Sequence, residues 1–135
     1  MKRINLPLSL VAILLVTVGC QSTAIVPGQY DDAAVYPNVT LSQDSLQKAL
    51  GFQEPALSRT ENDLMRVTVP VRARSNEMLN IEYRVIWLDR DGAPVRPEMI
   101  WTPLRLEPRQ PQYVSAAASS PAATNYNIQF RWGRP

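Results

Sequence analysis

One stretch of the chain constrains the fold more than any other, because apolar residues occupy every second position in it. The stretch runs from Leu79 to Gly92, and its alternating apolar residues are Leu79, Ile81, Tyr83, Val85 and Trp87. A period of two is typical of a β-strand with one buried face. The turn-forming residues Asp89-Arg90-Asp91-Gly92 follow directly. We therefore predict a long strand that lies in the middle of a sheet. A tight turn follows its last residue.

Other segments are also interpreted as strands, and the two longer ones show the same alternation. The longer ones are Met65–Ala73 and Tyr126–Trp132, and the shorter ones are Val39–Leu41, Ala56–Thr60, Ile100–Leu106 and Gln112–Ala118. About seven short strands separated by turn residues predict an all-β fold, specifically an immunoglobulin-like antiparallel β-sandwich. The predicted domain spans residues 39–135 and contains at most one short helix. That helix begins at Ser42 or Asp44 as N-cap, continues through Leu50 and ends at Gly51.

Two features predict how the strands are arranged. The short connection Ser75-Asn76-Glu77 predicts that the Met65–Ala73 strand and the central strand form an antiparallel pair. Pro70 lies within the first of these strands and has no backbone N–H to donate. We therefore predict that Pro70 lies on an edge strand or at a bulge.

The first nineteen residues have the composition of an export signal. Lys2 and Arg3 precede an apolar run from Leu6 to Val18, which is shorter than a membrane span requires. Thr17-Val18-Gly19-Cys20 resembles a bacterial lipobox, in which fatty acyl chains such as palmitate are attached to the cysteine. The alternative is that Cys20 is an ordinary buried thiol. Residues 1–19 are therefore interpreted as a lipoprotein signal peptide.

The residue after the cysteine bears on the destination of the protein. In many Gram-negative lipoproteins aspartate at this position retains the protein in the inner membrane, and here it is Gln21. By this resemblance we expect an outer-membrane lipoprotein that faces the periplasm and is held by its lipid. Residues 20–38 contain Pro27, Gly28 and Pro37 without a sustained period, so they are interpreted as the lipidated N-terminus and a flexible tether.

Composition argues against several classes of function. The sequence has no histidine and one cysteine, so the commonest general base and an intrachain disulfide are both absent. Of 14 basic residues two precede Cys20, which leaves 12 basic against 12 acidic residues and no electrostatic basis for nucleic-acid binding. We expect no metal, no other cofactor and no enzymatic activity.

The remaining acidic residues offer weak alternatives. Asp89-Arg90-Asp91-Gly92 has part of a calcium-loop pattern, but it lacks a third acidic position and the distal glutamate, which favours a turn. Two carboxylate pairs for glycoside hydrolysis are conceivable, Glu82 with Asp89 and Glu98 with Glu107. Acidic residues on the solvated face of strands are usually only solvated.

The candidate binding residues are apolar, aromatic or basic. Trp87 and Trp132 fall on the apolar faces of their strands and are expected in the core, whereas Trp101 is expected to be exposed. Ile86 and Leu88 lie on the otherwise polar face of the central strand, beside Arg84. Three alternatives stay open: the short helix covers them, the opposite sheet covers them after a bulge, or they form an exposed strip for a protein partner.

Part of the chain resembles a known family. The segment Ile81 to Asp89 followed by Gly92, with Asn76 ahead of it and the terminal strand Tyr126–Trp132, resembles the YcfL-type family of bacterial lipoproteins. The layout of lipobox, tether and small domain is also similar. The resemblance implies an immunoglobulin-like sandwich. It implies no biochemical activity and no catalytic or binding residues.

Together these features predict a non-enzymatic envelope lipoprotein, a protein-interaction or structural module that binds or supports another envelope component. The predicted site comprises Arg84, Ile86, Leu88 and Trp101, and the predicted lipidation site is Cys20. The alternative function is binding or sensing of a small periplasmic ligand. A deep cavity lined by Trp101, Tyr113 and arginines would favour the ligand, and a flat apolar strip would favour a protein.

Overall fold

The computed structural model describes residues 28–135. The predicted signal peptide, the predicted lipidation site Cys20 and the first part of the predicted tether lie outside the described residues. After a 3-10 helix at Ala33–Val35, the elements are β1 (Val39–Leu41), α1 (Asp44–Ala49), β2 (Leu50–Phe52), β3 (Ala56–Arg59), β4 (Met65–Ala73), β5 (Leu79–Leu88), β6 (Thr102–Leu106), β7 (Pro111–Ala117) and β8 (Asn125–Trp132). Within the described range no helix has the length and apolarity needed to cross a membrane.

The eight strands form two sheets, which confirms the predicted all-β, sandwich-like fold. Sheet I has the strand order β1-β8-β5-β6. In sheet II, β4 is central, with β7 on one side and β2 and β3 in succession on the other. The ladders are antiparallel except that β1 runs parallel to β8, which differs from the predicted fully antiparallel arrangement. Because β1 and β8 lie far apart in sequence, no tight turn dictates their relative direction.

The central position predicted for β5 is confirmed, since β5 pairs with β8 on one side and with β6 on the other. The predicted β4–β5 pair is wrong. These strands belong to different sheets, and residues 75–77 carry the chain from one sheet to the other. β4 and β5 each have one apolar face. Placing the two strands in opposite sheets allows both apolar faces to be buried between the sheets.

Pro70 lies at an interruption of the sheet II ladder. Phe52 pairs with Val71 and Ala56 pairs with Thr68, so residues 53–55 face only residues 69 and 70. Gln53 donates its backbone N–H to the Pro70 carbonyl at 3.1 Å, and Pro70 has no N–H to donate in return. The predicted bulge is therefore present, although β4 is a central strand and not an edge strand.

The short helix is present, but its predicted ends are wrong. Gln43 is the N-cap residue of α1 and makes no side-chain capping hydrogen bond. Leu50 and Gly51 already belong to β2, where Leu50 pairs with Ala73. Leu50 is fully buried, and its burial and strand pairing end the helix without a glycine cap.

The two sheets meet in one apolar core. The Phe52 ring of sheet II lies 5.1 Å, centroid to centroid, from the Phe130 ring of sheet I. The rings are tilted by 55°, and their separation lies within the range of about 4.5–7 Å in which aromatic pairs attract. The largest fully buried side chains are Phe52, Phe130, Leu46, Leu50, Ile81, Leu106, Ile128, Val67, Val69, Val71 and Val85.

The residues just before β1 are attached to the domain, within the range predicted as a tether. Asp31 and Phe52 exchange two backbone hydrogen bonds of 2.7 and 2.9 Å, and Asp32 forms a 2.7 Å ion pair with Arg74. Ala33 and Tyr36 are buried in the core. The packed domain thus extends N-terminal of Val39, where the sequence placed its boundary.

Candidate functional site

Four polar side chains on the outer face of sheet I form the base of the candidate site. Alternate residues of a strand share one face, and Glu82 and Arg84 alternate with the buried Ile81 and Val85. In the β5–β8 ladder Glu82 lies opposite Arg131, and Arg84 lies opposite Gln129. The two arginines are therefore diagonal neighbours on the solvent side of two adjacent strands.

Trp101 is held against both arginines. The Arg84 guanidinium carbon lies 4.7 Å from the centroid of the indole, and the Arg131 guanidinium carbon lies 4.0 Å from it. Trp101 directly precedes β6, whose first residue Thr102 pairs with Tyr83 of β5. The chain thus enters sheet I beside Arg84, which brings the indole onto the outer face. We call Glu82, Arg84, Trp101, Gln129 and Arg131 the Trp101 cluster.

Hydrogen bonds orient the two guanidinium groups. Arg84 donates its Nε–H to Gln129 Oε1 at 2.9 Å, and Arg131 donates its Nε–H to Glu82 Oε2 at 2.5 Å. The Glu82 and Arg131 side chains are 14% and 22% exposed, so this ion pair is screened less by solvent than a surface pair. The indole therefore rests on arginines whose own positions are already set.

Ile86 and Leu88 lie on the same face of β5 as Arg84, and both are half-buried. The β5–β8 register is continuous from Ile81 to Leu88, so no bulge turns these residues toward sheet II. The helix α1 does not cover them either, because its Ser45 Oγ accepts the indole N–H of Trp132, which lies opposite Ile81 at the far end of β5.

The loop between β5 and β6 borders this pair. Leu88 forms a bridge with Pro94, and the Val95 N–H donates to the Trp87 carbonyl at 2.8 Å. Ile100 of the same loop is 82% exposed. The structure thus places the four predicted partner-binding residues, Arg84, Ile86, Leu88 and Trp101, on one face of sheet I.

Sequence reasoning missed part of the site. The sequence alone does not identify Gln129 and Arg131 as site residues, because the pairing of β8 with β5 cannot be read from either strand alone. What the sequence does show is that both residues lie on the polar face of the strongly alternating strand Tyr126–Trp132. Ile100 gave no periodic signal because it lies in a loop.

The Asp89 carboxylate is hydrogen-bonded within the turn that follows β5. Asp89 Oδ1 accepts the backbone N–H groups of Asp91 and Ala93, both at 2.9 Å. Gly92 has a φ of 79°, which favours glycine. These contacts support the turn interpretation. Within residues 28–135 no group of three or more His, Cys, Asp or Glu residues is placed to hold a metal ion.

The carboxylates considered for glycoside hydrolysis are engaged elsewhere. Glu82 is paired with Arg131, and Asp89 accepts hydrogen bonds in its turn. Glu98 lies 3.2 Å from Arg96, and Glu107 lies 3.3 Å from Arg105. Each carboxylate thus has an ion-pair or hydrogen-bond partner within four residues in sequence or on the neighbouring strand.

The aromatic side chains proposed to line a ligand cavity lie apart. Trp101 covers the outer face of sheet I, whereas Tyr113 lies on β7 of sheet II and is 68% exposed. A surface depression of about 470 Å³ is lined by residues 59–62, 64 and 66, and one of about 370 Å³ by residues 80–82, 103–105, 133 and 134. Neither depression is lined by Trp101 or Tyr113.

A second group of aromatic and basic residues lies on the outer face of sheet II. The Arg72 guanidinium carbon is 4.5 Å from the centroid of the Tyr30 ring, and the buried Arg72 Nε has no hydrogen-bond partner. Burial raises the pKa of Tyr30, and the nearby Tyr113 raises it further, while Arg72 opposes the change. This group attaches the N-terminal segment to the sheet.

Comparison with known proteins places the chain in a family. Residues 37–132 match the model of a family described as a protein of unknown function, DUF1425. No curated protein gives a significant match.

Two solved structures have a similar fold. The crystal structure of Campylobacter jejuni cj0090 gives a TM-score of 0.61 at 20% sequence identity, covering 71% of this chain and 98% of that chain. A DUF1425 family member from Shewanella sp. PV-4 gives a TM-score of 0.58 at 20% identity, covering 69% of this chain and 86% of that chain. The family model spans most of the sequence, and the chain therefore belongs to the DUF1425 family, whose function is unknown.

Proposed function

We propose that this DUF1425 protein is a YcfL-type lipoprotein of the outer membrane that faces the periplasm and binds another envelope protein. The anchor is lipid on Cys20, as the lipobox-like segment before it implies. The role is non-enzymatic and uses no metal or other cofactor. Its interaction surface is the Trp101 cluster together with Ile86 and Leu88.

The observation that carries this proposal is the fixed position of Trp101 above two arginines. Tryptophan and arginine are enriched among the residues that dominate binding energy at protein interfaces. An indole that is already oriented loses little conformational entropy when a partner covers it. The 4.0 and 4.7 Å contacts therefore support a pre-formed protein-binding surface.

The residues next to Trp101 have the composition expected around a central binding residue of a protein interface. Ile86 and Leu88 add half-buried apolar area on the same strand face, and Ile100 adds an exposed apolar side chain beside Trp101. The polar side chains of the cluster border this area at one end, and Asn127 and Asn125 of β8 lie opposite Ile86 and Leu88. An apolar centre with a polar rim is the usual anatomy of a protein interface.

Site-specific crosslinking in cells tests the surface. A photoreactive amino acid placed at Ile100, next to the indole, is expected to give one discrete crosslinked product. The same amino acid at Leu57, which is exposed on sheet II, is the matched control and is expected to give none. The product is expected to disappear when Trp101→Ala is added. A product at Ile100 that persists in the Trp101→Ala protein would show that binding does not depend on the indole, and no product at Ile100 would place the interaction elsewhere.

A separate experiment tests the anchor. Cys20→Ala is expected to leave an unprocessed precursor, whereas mass spectrometry of the native protein is expected to find acyl chains on Cys20. Cys20→Ser is a second variant with the same expected loss of lipid. A mature, unlipidated N-terminus at another residue would contradict the proposed localisation.

A further inference from the structure

Among residues 28–135, one sheet edge lacks the usual features that prevent strand addition. Edge strands expose unpaired backbone N–H and C=O groups, and proteins commonly protect them with shortness, charge, proline or a covering segment. Three of the four edges carry such protection. The fourth edge, β7 of sheet II, does not.

The protected edges differ in their means. In sheet I, β1 has 3 residues, and β6 contains Pro103 and Arg105. On the β2–β3 side of sheet II, β2 is covered by its bridge to Asp31, while β3 has 4 residues and ends at Arg59.

The β7 edge is longer and uncharged. The strand has 7 residues, and no charged residue occurs from Gln110 to Phe130. Its only proline is Pro111, the first residue. The ladder with β4 is continuous along the whole strand, so no bulge twists the edge away.

The backbone groups on the free side of β7 can be identified. The Ala118 N–H donates to the Met65 carbonyl of β4 at 2.8 Å. Because antiparallel strands alternate their hydrogen-bonding sides, Gln112, Val114 and Ala116 also face β4. The N–H and C=O groups of Tyr113, Ser115 and Ala117 therefore point outward.

We propose that this edge pairs with the same edge of a second copy of the chain, so that two β7 strands join antiparallel into one continuous sheet. The two-fold axis passes through Ser115. In this register Ser115 faces Ser115 of the second copy, and Tyr113 faces Ala117. Every outward backbone group of these three residues is then satisfied.

The composition of β7 favours a second copy of the chain as the pairing partner, and it favours this register. A two-fold pair places identical strands against each other, and the absence of charge removes the like-charge repulsion that such pairing usually meets. The larger Tyr113 and Val114 lie opposite the smaller Ala117 and Ala116, so side chains on both faces fit. A register shifted to centre on Val114 would instead use Pro111, which lacks an N–H.

Co-purification of two differently tagged copies tests the proposal. Both full-length copies carry C-terminal tags, are expressed together and are purified in detergent from membranes. We expect the wild-type copies to co-purify, and we expect Ser115→Lys in both copies to abolish this because two ammonium groups would face each other. Ser58→Lys is the matched control, an exposed serine on the opposite edge of the same sheet, and is expected to have no effect.

A charge-swap experiment distinguishes lost pairing from lost folding. Ser115→Glu in both copies is expected to prevent co-purification, whereas one Ser115→Lys copy and one Ser115→Glu copy are expected to pair again. Recovery requires that each variant folds and that residue 115 of one copy faces residue 115 of the other. Absence of wild-type co-purification, its survival in the Ser115→Lys pair, or no recovery in the mixed pair would each overturn the proposal.

Discussion

The guanidinium of Arg131 lies 4.0 Å from the centre of the Trp101 ring, although β8 and β6 are not neighbours in the sheet. The indole reaches across β5, the strand between them, and also contacts Arg84 of that strand. One side chain thus links the outer faces of three successive strands. This contact couples the β5–β6 loop to the sheet.

Trp101→Ala is expected to destabilise the protein through this coupling. Each cation–π contact at a partly exposed site contributes about 0.5–1 kcal/mol, so we expect a loss of about 1–2 kcal/mol in the free energy of unfolding. Urea unfolding measures the change. Ile100→Ala, at the adjacent exposed residue, is the control and is expected to remain within about 0.5 kcal/mol of wild type. Equal effects of the two substitutions would contradict a structural role for the indole.

Phe130→Ala is expected to be much more damaging. The Phe130 ring is fully buried and contacts both Phe52 of the opposite sheet and Tyr83 of β5. Removing such a ring leaves a cavity that the two sheets fill only in part, with an expected cost of about 3–5 kcal/mol. Phe130→Leu retains most of the apolar volume and is expected to cost less. Thermal unfolding of both variants gives the comparison.

Gly51→Ala is expected to loosen the attachment of the N-terminal segment. A Cβ at this position would lie 3.0 Å from Tyr30 Cβ and 3.2 Å from Arg74 Nε. Arg74 can rotate away, but relief of the Tyr30 contact requires the segment to move, at an expected cost of about 1–3 kcal/mol. Limited proteolysis is expected to cut faster near Tyr30.

The control for this substitution is Gly92→Ala. Nothing lies within 4 Å of a Cβ at Gly92, where the cost comes instead from its φ of 79°. This variant is expected to be destabilised without faster cleavage near Tyr30. Faster cleavage in both variants would mean that the Gly51 contact is not the cause.

Alkaline pH is expected to weaken the fold through the tyrosines whose pKa is raised, which are Tyr30 on sheet II and the core residues Tyr36 and Tyr126. Burial raises the pKa of all three phenols, and Asp31 raises that of Tyr36 further, whereas a hydrogen bond with Asn38 opposes the rise at Tyr126. A raised folded-state pKa stabilises the protein fully below the unfolded value of about 10, and this contribution is lost as the pH rises through the folded value.

The melting temperature is therefore expected to fall steadily from about pH 10 upward. Tyr126→Phe is expected to reduce this fall, because the variant has no phenol to ionise there. Comparison with the same variant near neutral pH, where the phenols are protonated, separates ionisation from any packing change. A wild-type melting temperature that stays constant through this alkaline range would refute the prediction.

The sequence by itself determined which residues form the main strands and which of their faces are apolar. The alternation in β5 predicted the buried Val85 and Trp87, and that in β8 predicted the buried Ile128 and Phe130. It also placed Arg84, Ile86 and Leu88 on the opposite face of β5. These features depend on the two-residue period of an extended backbone, which is a local property.

Tertiary structure decided which strands became neighbours. The connection at residues 75–77 suggested a β4–β5 pair, yet the strands joined different sheets because facing each other buries both apolar surfaces. The parallel β1–β8 pair and the bridge between Asp31 and Phe52 likewise join distant parts of the chain. Strand partners depend on long-range backbone hydrogen bonds and on the meeting of apolar faces, neither of which a local period encodes. The contact between Trp101 and Arg131 arises only because β6 and β8 pair with opposite sides of β5.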